Sequence, residues 1–149
     1  MDVRIREATE QDLETILAIY RDAGIETCGK PSLESARRAF RRMASYPSYK
    51  VYVAEMGGRV CGTYALLIMD NLANGGAPSA VVEDVAVLRS WQGKGIGKIM
   101  METAIRACKE GGCYKMALSS NATRTGAHKF YESLGFVRHG FSFRVDLSP

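Results

Sequence analysis

The sequence predicts an α/β domain with a mixed central β-sheet flanked by helices, in the order β-α-α-β-β-β-α-β-α-β-β. Three observations carry this expectation. An apolar, β-branched run from Val81 to Leu88 passes through a glycine-rich turn into residues at helical spacing: Ile96, Ile99, Met100, Thr103, Ala104 and Ala107. A further strand pattern, Tyr114 to Ser119, follows that helix, so the connection is a crossover and the two strands run parallel. Upstream, Tyr49 to Met56 and Val60 to Met69 flank Gly57-Gly58 as an antiparallel hairpin. Parallel and antiparallel pairing together make the sheet mixed.

Val3 to Arg6 alternates as a first strand, and Thr9 then caps a helix with Glu10 and Asp12 in its first turn. Leu13, Ile16, Leu17 and Tyr20 form its apolar stripe. A second helix starts at Ser32, after Pro31, and runs to about Ser45. It turns Leu33, Ala36, Phe40, Met43 and Ala44 inward and Arg37, Arg38, Arg41 and Arg42 outward as a solvated face. The polar stretch from Asp70 to Ser79 is a loop into the central strand, either a plain connector or a wall of a site. Gly111 and Gly112 end the central helix. Another helix spans about Thr123 to Leu134 and stops at Gly135. The tail, Phe136 to His139 and Phe141 to Leu147, forms a closing hairpin around Gly140.

A chain of 149 residues, 46% hydrophobic and 24% charged, suits one domain covering 1–149 with a single core. The N-terminus lacks a hydrophobic signal core, and no run approaches the ~20 apolar residues of a membrane span. A cytoplasmic protein without a membrane partner is expected. Cys28, Cys61, Cys108 and Cys113 form no C-x-x-C pair and lack the density of a disulfide scaffold, so they read as free thiols. The net charge of +4 suits an anionic cofactor or substrate and is too small and dispersed to indicate nucleic acid.

The chemistry concentrates after the central strand. Gly93, Gly95 and Gly97 let the backbone approach a ligand closely, and the helix that follows adds the positive end of its dipole. That is an anion site, for phosphate. A nucleotide-hydrolase loop, G-x-x-x-x-G-K-[ST], fails because Gln92 stands five before Gly97 and Ile99 follows Lys98. A G-x-G-x-x-G dinucleotide fingerprint fails in both registers, with Lys98 or Met100 at the third glycine. Glu83 and Asp84 lie inside the strand, and alternation turns at least one carboxylate into whatever covers that face.

Gln92-x-x-Gly95-x-Gly97 resembles the [RQ]-x-x-G-x-[GA] pyrophosphate loop of the GNAT superfamily of acyl-CoA-dependent N-acetyltransferases. Ala127 to Phe136 is similar to the superfamily's second signature, A-x-x-x-Y-x-x-x-G-F, and the element order resembles its fold over nearly the whole chain. More narrowly, Val82 to Val87 and Cys113 to Leu118 resemble the glucosamine 6-phosphate N-acetyltransferases.

The resemblance implies an acetyl-CoA-dependent N-acetyltransferase, with acetyl-CoA as cosubstrate, no metal, and a small, amino-sugar-phosphate-like amine as acceptor. The backbone of Gln92, Gly93, Lys94, Gly95, Ile96, Gly97 and Lys98 would cradle the pyrophosphate. The pantetheine arm would pair with Val85, Ala86 and Val87 like an added strand, and a backbone N–H there would polarise the thioester carbonyl. Glu83 is the implied base, directly or through water, because an ammonium of pKa ~10.4 is mostly unreactive at neutral pH. A structural salt bridge is the other reading of Glu83. Asp84 would contact substrate or backbone. Tyr131 is the implied acid toward the departing thiolate, though its stripe with Ala127, Phe130 and Leu134 also suits plain core. The resemblance further implies a homodimer formed through the closing strands.

The chain departs from the pattern at several places. Arg124 stands where many relatives carry a pantetheine-binding Asn, and its cation would reach the cofactor phosphates or an acidic acceptor. Ser119 and Ser120 stand near where the sugar-phosphate enzymes carry an Asp. Arg144 lies near the position where those enzymes bind the sugar phosphate. His128 and His139 read as surface residues, with no nucleophile motif beside either. The alternatives are a protein lysine or N-terminal acetyltransferase and a non-catalytic acyl-CoA-binding module.

Overall fold

The computed structural model describes residues 2–25, 29 and 31–147; Cys28, expected as a free thiol, lies outside them. The chain divides into two units, Met1–Leu118 and Ser119–Pro149, which are taken in turn.

In the first unit, strand β1 (Val3–Glu7) leads through a 3-10 turn at Glu10–Asp12 into helix α1 (Leu13–Ala23). Thr9 is the N-cap, and its N–H donates to Asp12 Oδ2 at 2.7 Å, closing a capping box. The Arg6 guanidinium grips the same carboxylate with two bonds of 2.8 Å and reaches Glu55 at 2.9 Å. Helix α2 (Leu33–Ala44) is capped by Ser32, whose hydroxyl accepts from the Ser35 N–H at 3.1 Å. Its arginines are exposed, as expected, and two of them are paired: Arg38 with Glu34 and Arg41 with Glu10.

Strands β2 (Tyr49–Met56) and β3 (Arg59–Met69) form the expected hairpin, followed by β4 (Ser79–Val87), helix α3 (Ile96–Glu110) and β5 (Lys115–Ala117). The sheet order is β1-β2-β3-β4-β5, antiparallel throughout except for the parallel pairing of β4 with β5. Leu13 and Ile16 of α1 pack on Val53, with Tyr20, Leu33, Phe40 and Val51 around them. The opposite face carries α3. A Cβ at Gly62 would stand 2.8 Å from Met100 Sδ, so the helix lies too close there for any side chain. Ile96, Met100 and Ala104 are buried as expected; Met101 and Cys108 are buried as well, while Ile99, Thr103 and Ala107 are half-buried.

The second unit contains α4 (Thr125–Ser133), closed by Gly135 at φ +90°. The expected closing hairpin is absent: among the described residues no strand follows α4. Phe141, Phe143, Val145 and Leu147 keep their alternation yet are 92, 93, 76 and 88% exposed. Alternation supplies an apolar face, but a strand also needs a neighbour for its N–H and C=O groups, and none of the described strands provides one.

Candidate active site

β4 and β5 share only three rungs, Ser79 with Lys115, Ala80 with Met116 and Val81 with Ala117. β4 continues to Val87, so beyond Val81 no described strand pairs with its outer edge. Val85, Ala86 and Val87 occupy this stretch. On its inner side β4 stays paired to β3, but the register slips: Glu83 faces Ala65 and Ala86 faces Thr63, leaving Asp84 and Val85 opposite Tyr64. This is a β-bulge, and Asp84 takes φ +51° within it.

The bulge corrects two expectations. Strict alternation sends Glu83 and Asp84 to opposite faces, whereas both carboxylates here act on the same phenol, Tyr49. Burial raises Tyr49 above its ordinary pKa, with Glu83 and then Asp84 adding to the shift. Tyr20 on α1 is raised first by burial and then by Asp84. Second, neither acid is buried; both residues are exposed. The Asp84 carboxyl is nonetheless pushed above the usual carboxylate range by partial desolvation. Among the described residues no ion pair engages Glu83, so a structural salt bridge does not account for it there. Sequence reasoning missed Tyr20 and Tyr49, because only the folded sheet brings them to the acids.

The glycine-rich loop leaves β4 through a 3-10 turn at Arg89–Trp91. The Arg89 N–H donates to Asp22 Oδ2 at 2.7 Å, tying the loop to α1. Gln92 Nε2 donates to the Val87 carbonyl at 3.1 Å, so this side chain holds the loop against the end of β4. Gly93 and Gly95 adopt φ +75° and +80°, the left-handed region where side chains are strained, and a Cβ at either would meet nothing within 4 Å. Among the described residues the N–H groups of Gly93 to Lys98 donate to no backbone acceptor. Uncommitted donors at a helix N-terminus, facing open space, fit a pyrophosphate. Lys94 lies 4.6 Å from the Trp91 ring centre and Lys98 lies 3.8 Å from Glu102.

In the second unit Tyr131 is half-buried between Phe130 and Phe136, with ring centres 5.2 and 5.6 Å away. Burial raises its pKa and the Arg124 cation opposes the rise. The phenol therefore holds its proton at neutral pH. Arg124 is exposed at the N-cap of α4. Arg144 is exposed and paired with Asp146 at 3.0 Å. His139 is exposed, and His128 is partly exposed, with Nε2 2.9 Å from the Asn121 carbonyl.

Known proteins are similar to this chain in sequence and in fold. Residues 13–136 match the model of the acetyltransferase (GNAT) family. The chain is 32% identical over 149 residues to the glucosamine 6-phosphate N-acetyltransferase of Trypanosoma brucei brucei, covering 99% of this chain and 97% of that protein. Among solved structures, a putative acetyltransferase from Agrobacterium tumefaciens superposes with a TM-score of 0.89 at 29% identity, covering 96% of this chain and 99% of that one. A Bacillus halodurans protein described as a transcriptional regulator also superposes with a TM-score of 0.89, at 31% identity, covering 98 and 100% of the two chains. Loop, splayed strands and sequence agree, and the chain belongs to the GNAT family of acetyltransferases.

Proposed function

We propose that this acyltransferase is an acetyl-CoA-dependent N-acetyltransferase that acts by direct transfer on a small primary amine, as a single domain in the cytoplasm. One observation carries the reading: the unpaired outer edge of β4 from Val85 to Val87 leads directly into the uncommitted N–H donors of Gly93 to Lys98. A ligand with an extended amide arm and a pyrophosphate end matches that succession of groups.

Acetyl-CoA supplies an acetyl thioester when bound. The chain's residues then divide the remaining work. Gly93 to Lys98 hold the phosphates, with Gln92 bracing the loop through Val87. The edge of β4 aligns the arm, and Arg124 adds a cation for phosphate or acceptor. Asp84 and Glu83 attract the acceptor's ammonium, and Glu83 takes its proton, directly or through water. Tyr131 gives a proton to the leaving thiolate. Arg144 serves an anionic group on the acceptor by exchanging its surface partner Asp146.

An amino-sugar phosphate is the first acceptor to test, supported by the name of the Trypanosoma relative. The exposed apolar ladder Phe141, Phe143, Val145 and Leu147 supports a homodimer in which two tails pair and cover one another. The deciding experiment measures CoA thiol release from acetyl-CoA with glucosamine 6-phosphate, a panel of small amines and a lysine peptide. Stimulation by a small amine is expected. Release stimulated only by the peptide would replace the small acceptor with a protein one, and acetyl-CoA binding without release would leave a binding module.

A further inference from the structure

Helix α3 ends in a turn that brings two cysteines together. Its last residues are Cys108, Lys109 and Glu110, Gly111 is the C-cap, and Gly112 takes φ +72°. The Gly112 N–H donates to the Lys109 carbonyl at 3.1 Å, and the Cys113 N–H donates to the Cys108 carbonyl at 2.9 Å. This pair of bonds around a left-handed glycine is the Schellman closure, in which the side chain third from the helix end meets the one two residues past the cap. Here those side chains belong to Cys108 and Cys113.

That contact is ordinarily apolar, and a thiol can serve in it as a small hydrophobe. Two thiols add chemistry. The 2.9 Å backbone bond holds the two Cα atoms within ~6.8 Å, inside the span that a disulfide bridges. Both cysteines are free. Burial pushes the Cys108 thiol up to about 12, and the Cys113 thiol is the next cause of the rise, so the two sulfurs are neighbours.

Exposure sets the order of events. The thiolate is the nucleophile in disulfide exchange, and a reactant must reach it. Cys113 is partly open to solvent, whereas Cys108 is 4% exposed and holds its proton. Cys113 is therefore the first to react, with Cys108 beside it as the second thiol.

We propose that Cys108 and Cys113 form a modification site for low-molecular-weight disulfides, at which the two thiols become an intrachain disulfide. The Cys113 thiolate attacks one sulfur of the reactant, forming a mixed disulfide and releasing a small thiolate that takes up the proton Cys113 lost. Cys108 then gives up its proton, attacks the Cys113 sulfur and releases the second small thiol. The two cysteines are oxidised and the reactant is reduced to two thiols, so no other electron acceptor is needed. The new bond ties the last turn of α3 to the segment entering β5, where the Tyr114 N–H bonds the Pro78 carbonyl just ahead of β4. This site lies at the opposite end of α3 from the glycine-rich loop and stands whether or not the chain transfers acetyl groups.

Trypsin supplies a direct test, because it cuts after Arg106, Lys109 and Lys115 and only a disulfide would keep Ala107–Lys109 joined to Glu110–Lys115. The full chain is incubated with oxidised glutathione, remaining thiols are alkylated, and the digest is read by mass spectrometry without reductant. The joined peptides should exceed the glutathione adduct of Cys113 by about tenfold or more, because the second thiol is already in place. In Cys108→Ala the adduct should persist, and in Cys113→Ala the Cys108 thiol should stay unmodified, with circular dichroism melts checking both folds. The parent digest alone decides between a reactive pair and a plain apolar contact. Absence of the joined peptides, or a persistent Cys113 adduct in the parent, overturns the site. Joined peptides found only in a species of twice the chain mass on a non-reducing gel also overturn it, assigning the bond to two copies.

Discussion

Glu83 and Asp84 are neighbours in a strand, yet both carboxylates act on Tyr49, because the bulge opposite Tyr64 returns Asp84 to the side that Glu83 already faces. The non-glycine φ of +51° at Asp84 costs about 1 kcal/mol, a cost that aspartate and asparagine tolerate best. The strained residue thus lies in the stretch of β4 that runs on past its last rung with β5. Asp84→Asn keeps the backbone conformation and removes the charge. It should raise KM for the amine about tenfold, the scale of one lost charge interaction, with little change in kcat. A fall in kcat at constant KM would show that Asp84 does chemistry instead of attraction.

Glu83→Gln addresses the proton. General-base catalysis contributes roughly 10²-fold or more, so kcat/KM at neutral pH should fall by about that factor. The deficit should narrow as pH rises and the free-amine fraction grows. A deficit that is equal at every pH would assign Glu83 to orientation and leave the proton to water.

Gly95 stands at φ +80° with open space where a Cβ would project. Gly95→Val therefore meets no wall, but it strains the backbone by about 1 kcal/mol or more and occupies the space a phosphate needs. Acetyl-CoA affinity should drop at least tenfold by calorimetry while the melt shifts by only a few degrees. Unchanged affinity would remove the loop from the cofactor site.

What the sequence disclosed and what it concealed follow from the range of the forces involved. The Ser32 cap, the Thr9–Asp12 box and the Gly57-Gly58 turn depend on contacts within a few residues and were readable in order. So was the glycine-rich loop, since its φ angles restrict the residue type. The bulge at Asp84 was not, because Val81 to Val87 has the same composition with or without it, and only the register against β3 reveals the extra residue. Tyr20 and Tyr49 reach the acids from other elements. Met101 and Cys108 are buried because the sheet covers a wider arc of α3 than a single stripe. The tail shows the opposite failure: its alternation was legible, but among the described residues it forms no strand.

The Arg6–Asp12 pair gives a stability prediction with a sign. The Arg6 guanidinium, opposed by burial and helped by the Thr9 N–H, holds the Asp12 carboxyl down at about 2 against its ordinary 3.8. A lowered folded-state value means that the contribution is complete above pH ~4 and is lost as pH falls toward ~2. It amounts to roughly 2 kcal/mol. Urea midpoints should therefore decline across that window. Arg6→Leu leaves Asp12 desolvated without its partner, so it should cost about 2 kcal/mol at neutral pH and abolish its share of the acid decline. A variant whose stability still falls in parallel with the parent would show that other carboxylates control acid unfolding.

The tail yields the last prediction. Phe141, Phe143, Val145 and Leu147 place an apolar side chain at every second position of the tail, each largely exposed, and among the described residues the tail forms no strand. An isolated copy must solvate both the apolar face and the backbone edge. Pairing with the same segment of a second copy satisfies both, since one ladder supplies the hydrogen bonds and two apolar faces cover each other. Phe141→Asp/Phe143→Asp places like charges in that contact while leaving residues 1–118 untouched. Light scattering should report a dimer for the parent and a monomer for the variant across the micromolar range, with the urea midpoint of the first unit preserved. A parent that is already monomeric, or a variant that remains dimeric, would show that the tail is not what joins two copies.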